Sequence, residues 1–204
     1  MTDQILATRD LTVSYKTRFG TRKTVGPFDL FLRQGEFVFL AGPNGSGKST
    51  LLRSIARLQT CEGVIQDGGT TISYLPQRPS ELLFPWLTLE QHLDAFCQEP
   101  RDIHIKETSR LLTELQWPSE KPLASTTAGS LSIGFRQVFS FCLVLGHPRA
   151  RLVLLDEPLS SLDRERRAEA IRVLRARSEA RSQTYLVASH YGFSIPNSRI
   201  VDLS

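Results

Sequence analysis

The chain has 204 residues, 40% hydrophobic and 23% charged, the balance of a folded domain and not of a disordered or collagen-like chain. Lys and Arg number 25 against 21 Asp and Glu, and the resulting net charge of +4 permits a phosphate, nucleic-acid or membrane-surface partner without demanding one. Three cysteines, Cys61, Cys97 and Cys142, stand far apart without C-x-x-C spacing, so neither a zinc site nor a redox pair is suggested and three reduced thiols are expected. Residues 1–11 lack the apolar stretch of a secretory signal, and no apolar run approaches the roughly 18 residues a membrane span needs. The sequence therefore reads as a soluble protein that would reach a membrane only by docking on something else.

Residues 5–15 alternate in β-type side chains and read as one or two strands, and 28–32 alternate likewise. Residues 37–41 form a short, fully apolar run, the pattern of a strand buried on both faces. A Gly-rich turn follows, then a helical stretch over 48–58 and a short strand over 72–75. Residues 87–117 read helical, broken by Pro100, and 131–145 read helical again. A second apolar strand over 152–155 ends in Asp156-Glu157-Pro158. A helix over 163–181 carries seven arginines, with Asp163–Arg167 and Arg175–Glu179 spaced to pair at i, i+4. Strands over 184–189 and 199–203 complete the chain. Apolar strands alternating with helices predict an α/β fold with a mostly parallel sheet, and the strandless stretch 87–129 reads as an inserted helical lobe.

The most specific signal is Gly42-Pro43-Asn44-Gly45-Ser46-Gly47-Lys48-Ser49-Thr50, which satisfies G-x-x-x-x-G-K-[ST] between a buried strand and a helix. Glycines let successive backbone N–H groups turn toward phosphate oxygens, and the helix adds its positive end. Lys48 is placed to reach the β- and γ-phosphates, and the Ser49 hydroxyl to ligate magnesium. The strand over 152–155 delivers Asp156 and Glu157 at its carboxyl end, where ligands of open α/β sheets bind. Asp156 suits a magnesium ligand or water-bridged contact, and Glu157 a base that polarises an attacking water. His190, after the strand over 184–189, is expected at the same edge.

Taken together, these residues resemble the ATP-binding cassette (ABC) ATPase family over essentially the whole chain. The resemblance implies a P-loop NTPase of ABC type: a RecA-like sheet, an N-terminal antiparallel β part and an inserted helical lobe. It implies one domain over 1–204, with a nucleotide-binding core at 1–83 and 146–204 and a lobe at 84–145 that includes the signature helix. Residues 42–50 match Walker A. Asp156 and Glu157 match Walker B and the catalytic glutamate, and His190 the switch histidine. Tyr15 matches the aromatic residue that stacks on adenine, and Gln77 the Q-loop glutamine that senses magnesium and water. Residues 160–163, ending in Asp163, match the D-loop. Magnesium would then be held through Ser49, Gln77 and Asp156.

One motif departs. The family signature L-S-G-G-Q stands here as Leu131-Ser132-Ile133-Gly134-Phe135. In the family two cassettes sandwich two ATPs head to tail, and each signature touches the γ-phosphate bound by the other. Ser132 and Gly134 keep that role. Ile133 adds a β-carbon where a close approach is needed, and Phe135 lacks the polar contacts of glutamine. The site completed by this signature is therefore expected to be slow or non-hydrolytic, as suits a heterodimer whose partner carries an intact signature; the alternative is a homodimer that tolerates the variant.

The function implied is the Mg-ATP-hydrolysing subunit of a membrane transporter, with uptake favoured by the compact arm over 61–71 and the short stretch after His190. Its partners would be a transmembrane permease subunit and a second cassette, at the inner face of the cell membrane. The alternative is a cassette ATPase acting on nucleic acid or ribosomes. Against it stand the short stretch 77–132 and the want of interleaved aromatics on the Arg-rich helix. The apolar segment 82–87 follows Gln77, and Phe84 and Trp86 are its candidate anchors for a membrane partner.

Overall fold

The structure is a computed structural model in which residues 3–16, 22–96, 100–180, 183–190 and 193–203 are described; Cys97 and Arg181 lie outside them. The strands are β1 (Gln4–Lys16), β2 (Arg22–Arg33), β3 (Phe37–Ala41), β4 (Glu62–Gln66), β5 (Ile72–Leu75), β6 (Leu152–Asp156), β7 (Thr184–Ala188) and β8 (Arg199–Asp202). The helices are α1 (Lys48–Ile55), α2 (Leu89–Phe96), α3 (Arg101–Glu114), α4 (Ile133–Leu145) and α5 (Arg164–Ala180). A five-stranded sheet runs in the order β5-β6-β7-β3-β8, and all its paired strands are parallel. A separate antiparallel sheet has the order β2-β1-β4.

The apolar runs of β3, β6 and β7 are buried because helices cover both faces of the parallel sheet. Pleating sends alternate residues of β6 to opposite sides. Leu152 and Leu154 pack with Leu51, Leu52 and Ile55 of α1 and with Leu6, Leu11 and Leu32 of the antiparallel sheet. Val153 and Leu155 pack with Phe139 and Leu143 of α4 and with Leu89, Leu93 and Leu111 of α2 and α3. The helices inserted between β5 and β6 thus share one apolar core with a face of the sheet. From Gln137 to Leu145 every residue of α4 is buried, which explains its nearly unbroken apolar sequence.

Several local readings change. Residues 5–15 belong to one strand, β1, whose register shifts, one beside Asp10 at φ 49°, bend it without ending it. The arm over 61–71 contains the strand β4, paired with β1. Helix α1 stops at Ile55, short of the expected 58, as Arg57 turns to φ 62°. On α5, Asp163 pairs with Arg166 and not Arg167, at 2.6 Å, while Arg175 donates to the Ser194 carbonyl at 3.1 and 3.2 Å. No helix among the described residues is long and apolar enough to cross a membrane.

Candidate active site

Because the sheet is parallel, the carboxyl ends of β5, β6, β7 and β3 lie side by side. Leu75 is in register with Leu155, Asp156 with Ala188, and Ala188 with Leu40. The segments that leave these strands therefore meet at one edge. Gln77 comes after β5, Glu157 after β6, His190 after β7, and the 42–50 loop after β3. They line an open cleft of about 340 Å³ together with Lys48, Ser49 and Asp156. Tyr15 and Thr50 form its other wall, where the Tyr15 hydroxyl lies 3.0 Å from Thr50 Oγ1. Val25 of β2 also lines the cleft. Nothing in the local sequence singles Val25 out, because only strand pairing brings it there.

The loop is held by its glycines. Gly47 caps α1 at φ 101°, and a Cβ there would overlap Val25 Cγ1 and lie 2.6 Å from Phe28 Cζ. The Lys48 ammonium donates to the carbonyls of Gly42 at 2.7 Å and Pro43 at 3.0 Å, which fixes it over the loop. Ser46 Oγ is buried without a hydrogen-bond partner. The loop stands at the positive end of α1, which favours an anion.

Ser49 Oγ donates to Asp156 Oδ1 at 3.0 Å, while Asp156 Oδ2 is buried with no hydrogen-bond partner. A hydroxyl beside an orphaned carboxylate oxygen is a donor set that fits magnesium, which prefers few protein oxygens plus water and phosphate. Among the described residues no three His, Cys, Asp or Glu side chains converge to hold a metal on their own. Burial pushes the Asp156 carboxyl above its ordinary value, and the Ser49 hydrogen bond opposes it.

Glu157 is 4% exposed and sits at φ 49°, a strained backbone for a non-glycine residue. Its N–H donates to the Ala188 carbonyl at 2.9 Å, and its carboxylate accepts the His190 N–H at 3.0 and 3.3 Å. His190 Nε2 lies 3.3 Å from Glu157 Oε1. Burial raises the Glu157 carboxyl, and the His190 N–H draws it back. A carboxylate that lines the cleft beside the 42–50 loop and is kept more basic than usual can take a proton from water.

Ser132, Gly134 and Asp163 do not line this cleft. Ser132 caps α4 by accepting the Phe135 N–H at 3.3 Å. Ile133 is 64% exposed on the first turn of α4, and a Cβ at Gly134 would lie 3.0 Å from the Ser161 carbonyl. Phe135 turns inward against Trp117.

Residues 25–160 match the family described as ABC transporter. The chain is 34% identical over 161 residues to the aliphatic sulfonates import ATP-binding protein SsuB 1 of Paraburkholderia xenovorans, covering 74% of this chain and 44% of that one. It is 35% identical over 182 residues to the Fe(3+) ions import ATP-binding protein FbpC of Streptomyces avermitilis, covering 85% and 52%. The chain thus spans about half the length of these relatives. A dimeric ATP-binding cassette solved in a post-hydrolysis state with ADP and Pi superposes with a TM-score of 0.76 at 22% identity, over 91% of this chain and 88% of that one. With this fold, and with the family match over 25–160, the chain belongs to the ABC transporter family.

Proposed function

We propose that the chain binds and hydrolyses Mg-ATP and powers a membrane permease in the uptake direction, by closing on ATP against a second cassette. The observation that carries this reading is the single cleft in which Lys48, Ser49, Gln77, Asp156, Glu157 and His190 converge. The import proteins among its relatives support the direction. The sequence-level division into a core (1–83 and 146–204) and a helical lobe (84–145) belongs to the same reading.

In this mechanism the residues 42–50 cradle the phosphates with backbone N–H groups, and Lys48 neutralises charge on the β- and γ-phosphates. Tyr15 stacks on adenine. Ser49, Asp156 and Gln77 would hold magnesium, which would supply positive charge against the phosphates. Glu157 takes the proton of the attacking water, and His190 orients Glu157 and the γ-phosphate. Ser132, Gly134 and Asp163 serve the cleft of the second cassette. The exposed Ile133 side chain crowds that approach and slows turnover there.

Phe84 and Trp86 are 46% and 71% exposed, with ring centroids 5.5 Å apart, beside Gln77 in sequence. They are the proposed grip on the permease at the inner face of the cell membrane. The α5 arginines favour this reading over nucleic acid. Arg166 is paired with Asp163 and Arg172 with Glu169 at i, i+3, and Arg177 with Glu107 of α3, so these charges already have protein partners.

The test is turnover and ATP binding by the full chain. Glu157→Gln is expected to keep ATP and lose turnover by roughly 10²- to 10⁴-fold, the usual size of a general-base contribution. Lys48→Ala is expected to lose ATP binding. A Glu157→Gln protein that hydrolyses at the parent rate would overturn the assignment.

A further inference from the structure

Helix α4 and the segment after β6 touch at three points close to Ser132. The buried Gln137 Nε2 donates to the Pro158 carbonyl at 3.1 Å. The Gly134 α-carbon approaches the Ser161 carbonyl so closely that a Cβ would sit 3.0 Å away. The third contact is an aromatic one. The Phe135 ring meets Trp117 edge-on, with centroids 5.5 Å apart and planes at 75°. The Arg166 guanidinium lies 4.7 Å from its centroid, and the Lys121 ammonium 5.4 Å. Arg166 is also tied to Asp163 twice, by Nη1 to Oδ2 at 2.6 Å and by its N–H to Oδ1 at 2.9 Å.

We propose that Phe135 and Arg166 are positioning residues that form a strut within one chain, coupling the first turn of α4, with Ser132, to Asp163 at the start of α5. The inference rests on the reading of Ser132 and Asp163 as the surface offered to a second cassette. On this view Phe135 is no lost glutamine. Its ring carries a cation that Asp163 holds in place, so two loops that must meet one partner move as one body. A guanidinium over an aromatic face gains from the ring quadrupole, and a carboxylate bonded to it fixes its orientation. Serine and aspartate presented at a fixed spacing lose less freedom when a partner closes on them. Replacing Phe135 by the family's glutamine therefore weakens closure instead of restoring it, because the strut loses its ring.

The experiment is hydrogen exchange of the full chain, read over residues 132–139, in Arg166→Met, Phe135→Leu, the double variant, Arg166→Lys and Phe135→Tyr. Arg166→Met and Phe135→Leu are each expected to speed exchange of the first turn of α4 by roughly three- to five-fold, the weight of a partly exposed cation–π contact. The double variant should add little beyond either single change. Arg166→Lys and Phe135→Tyr keep a cation and a ring, and should stay near the parent. Unchanged exchange at α4 in Arg166→Met, or strictly additive effects, overturns the strut. So does faster exchange spread evenly over the whole chain, the mark of a merely structural role.

A second arm reads function. In a Glu157→Gln background, ATP-dependent self-association is expected to weaken by a similar factor in Arg166→Met, Phe135→Leu and Phe135→Gln, with ATP affinity of the single chain unchanged. Association equal to the parent's in all three overturns the positioning role. If the Glu157→Gln parent itself does not associate with ATP while the exchange coupling holds, closure between two copies of this chain fails and the strut stands.

Discussion

Gly47 shows how one missing carbon organises the site. Its φ of 101° is strained for any L side chain, and a Cβ would be driven into Val25 and Phe28. Gly47→Ala is therefore expected to cost about 1–3 kcal/mol from backbone strain, before any overlap is relieved. Urea unfolding reads that cost. ATP affinity should fall in the same variant, because relief of the overlap moves the loop that carries Lys48. Gly45, at φ 84°, meets nothing within 4 Å of a Cβ, so Gly45→Ala should bear the strain alone and destabilise less. Equal losses at the two positions would show that packing against Val25 and Phe28 contributes nothing.

At the scale of the element, the packing of α2, α3 and α4 depends on neutral histidines. His92 and His104 are 0% and 1% exposed, and His104 Nε2 lies 2.8 Å from the Leu143 carbonyl on α4. The His147 ring lies 5.4 Å from that of His104. Burial holds all three below the ordinary value of 6.5, and His104 lowers His147 further. A histidine depressed in the folded state contributes stability that is complete above its unfolded value and is lost as pH falls through the folded one. Asp156 and Glu157, raised by burial, act with the opposite sign but titrate from a lower ordinary range. Stability should therefore drop as the pH falls below about 6.5. Thermal unfolding above and below that value checks it, and His104→Asn should flatten the drop.

The long elements were legible because their patterns are strong: the apolar runs of β3, β6 and β7, and the phosphate loop between β3 and α1. Tyr15 and Gln77 were legible only through their order around that loop, and His190 through its place after the apolar strand β7. β4 was not, because none of its five residues is buried and a strand without an apolar face leaves no alternation to read. The contact of Phe135 with Arg166 was hidden for another reason. It joins two helices 31 positions apart, and no spacing rule links them.

Over the whole molecule, the cleft of Lys48 and Glu157 and the exposed pair Phe84–Trp86 lie on different elements. Trp86→Ala removes a side chain that is 71% exposed, so it should leave the fold and ATP affinity unchanged. It should weaken capture of a multi-spanning membrane protein when the tagged chain is drawn from detergent-solubilised membranes. Lost ATP affinity with capture intact would sink the assignment of this patch.

The alternation of β6 between two cores has a consequence for how the chain can change over generations. Leu154 and Val153 are neighbours along the backbone, yet each belongs to a different community of contacts. Substitutions confined to opposite sides of the sheet share few partners, and such pairs tend to combine additively. The side packed on α2, α3 and α4 can therefore drift to suit new docking partners with little epistasis toward the side that braces the phosphate loop. Selection can explore one while the other stays fixed.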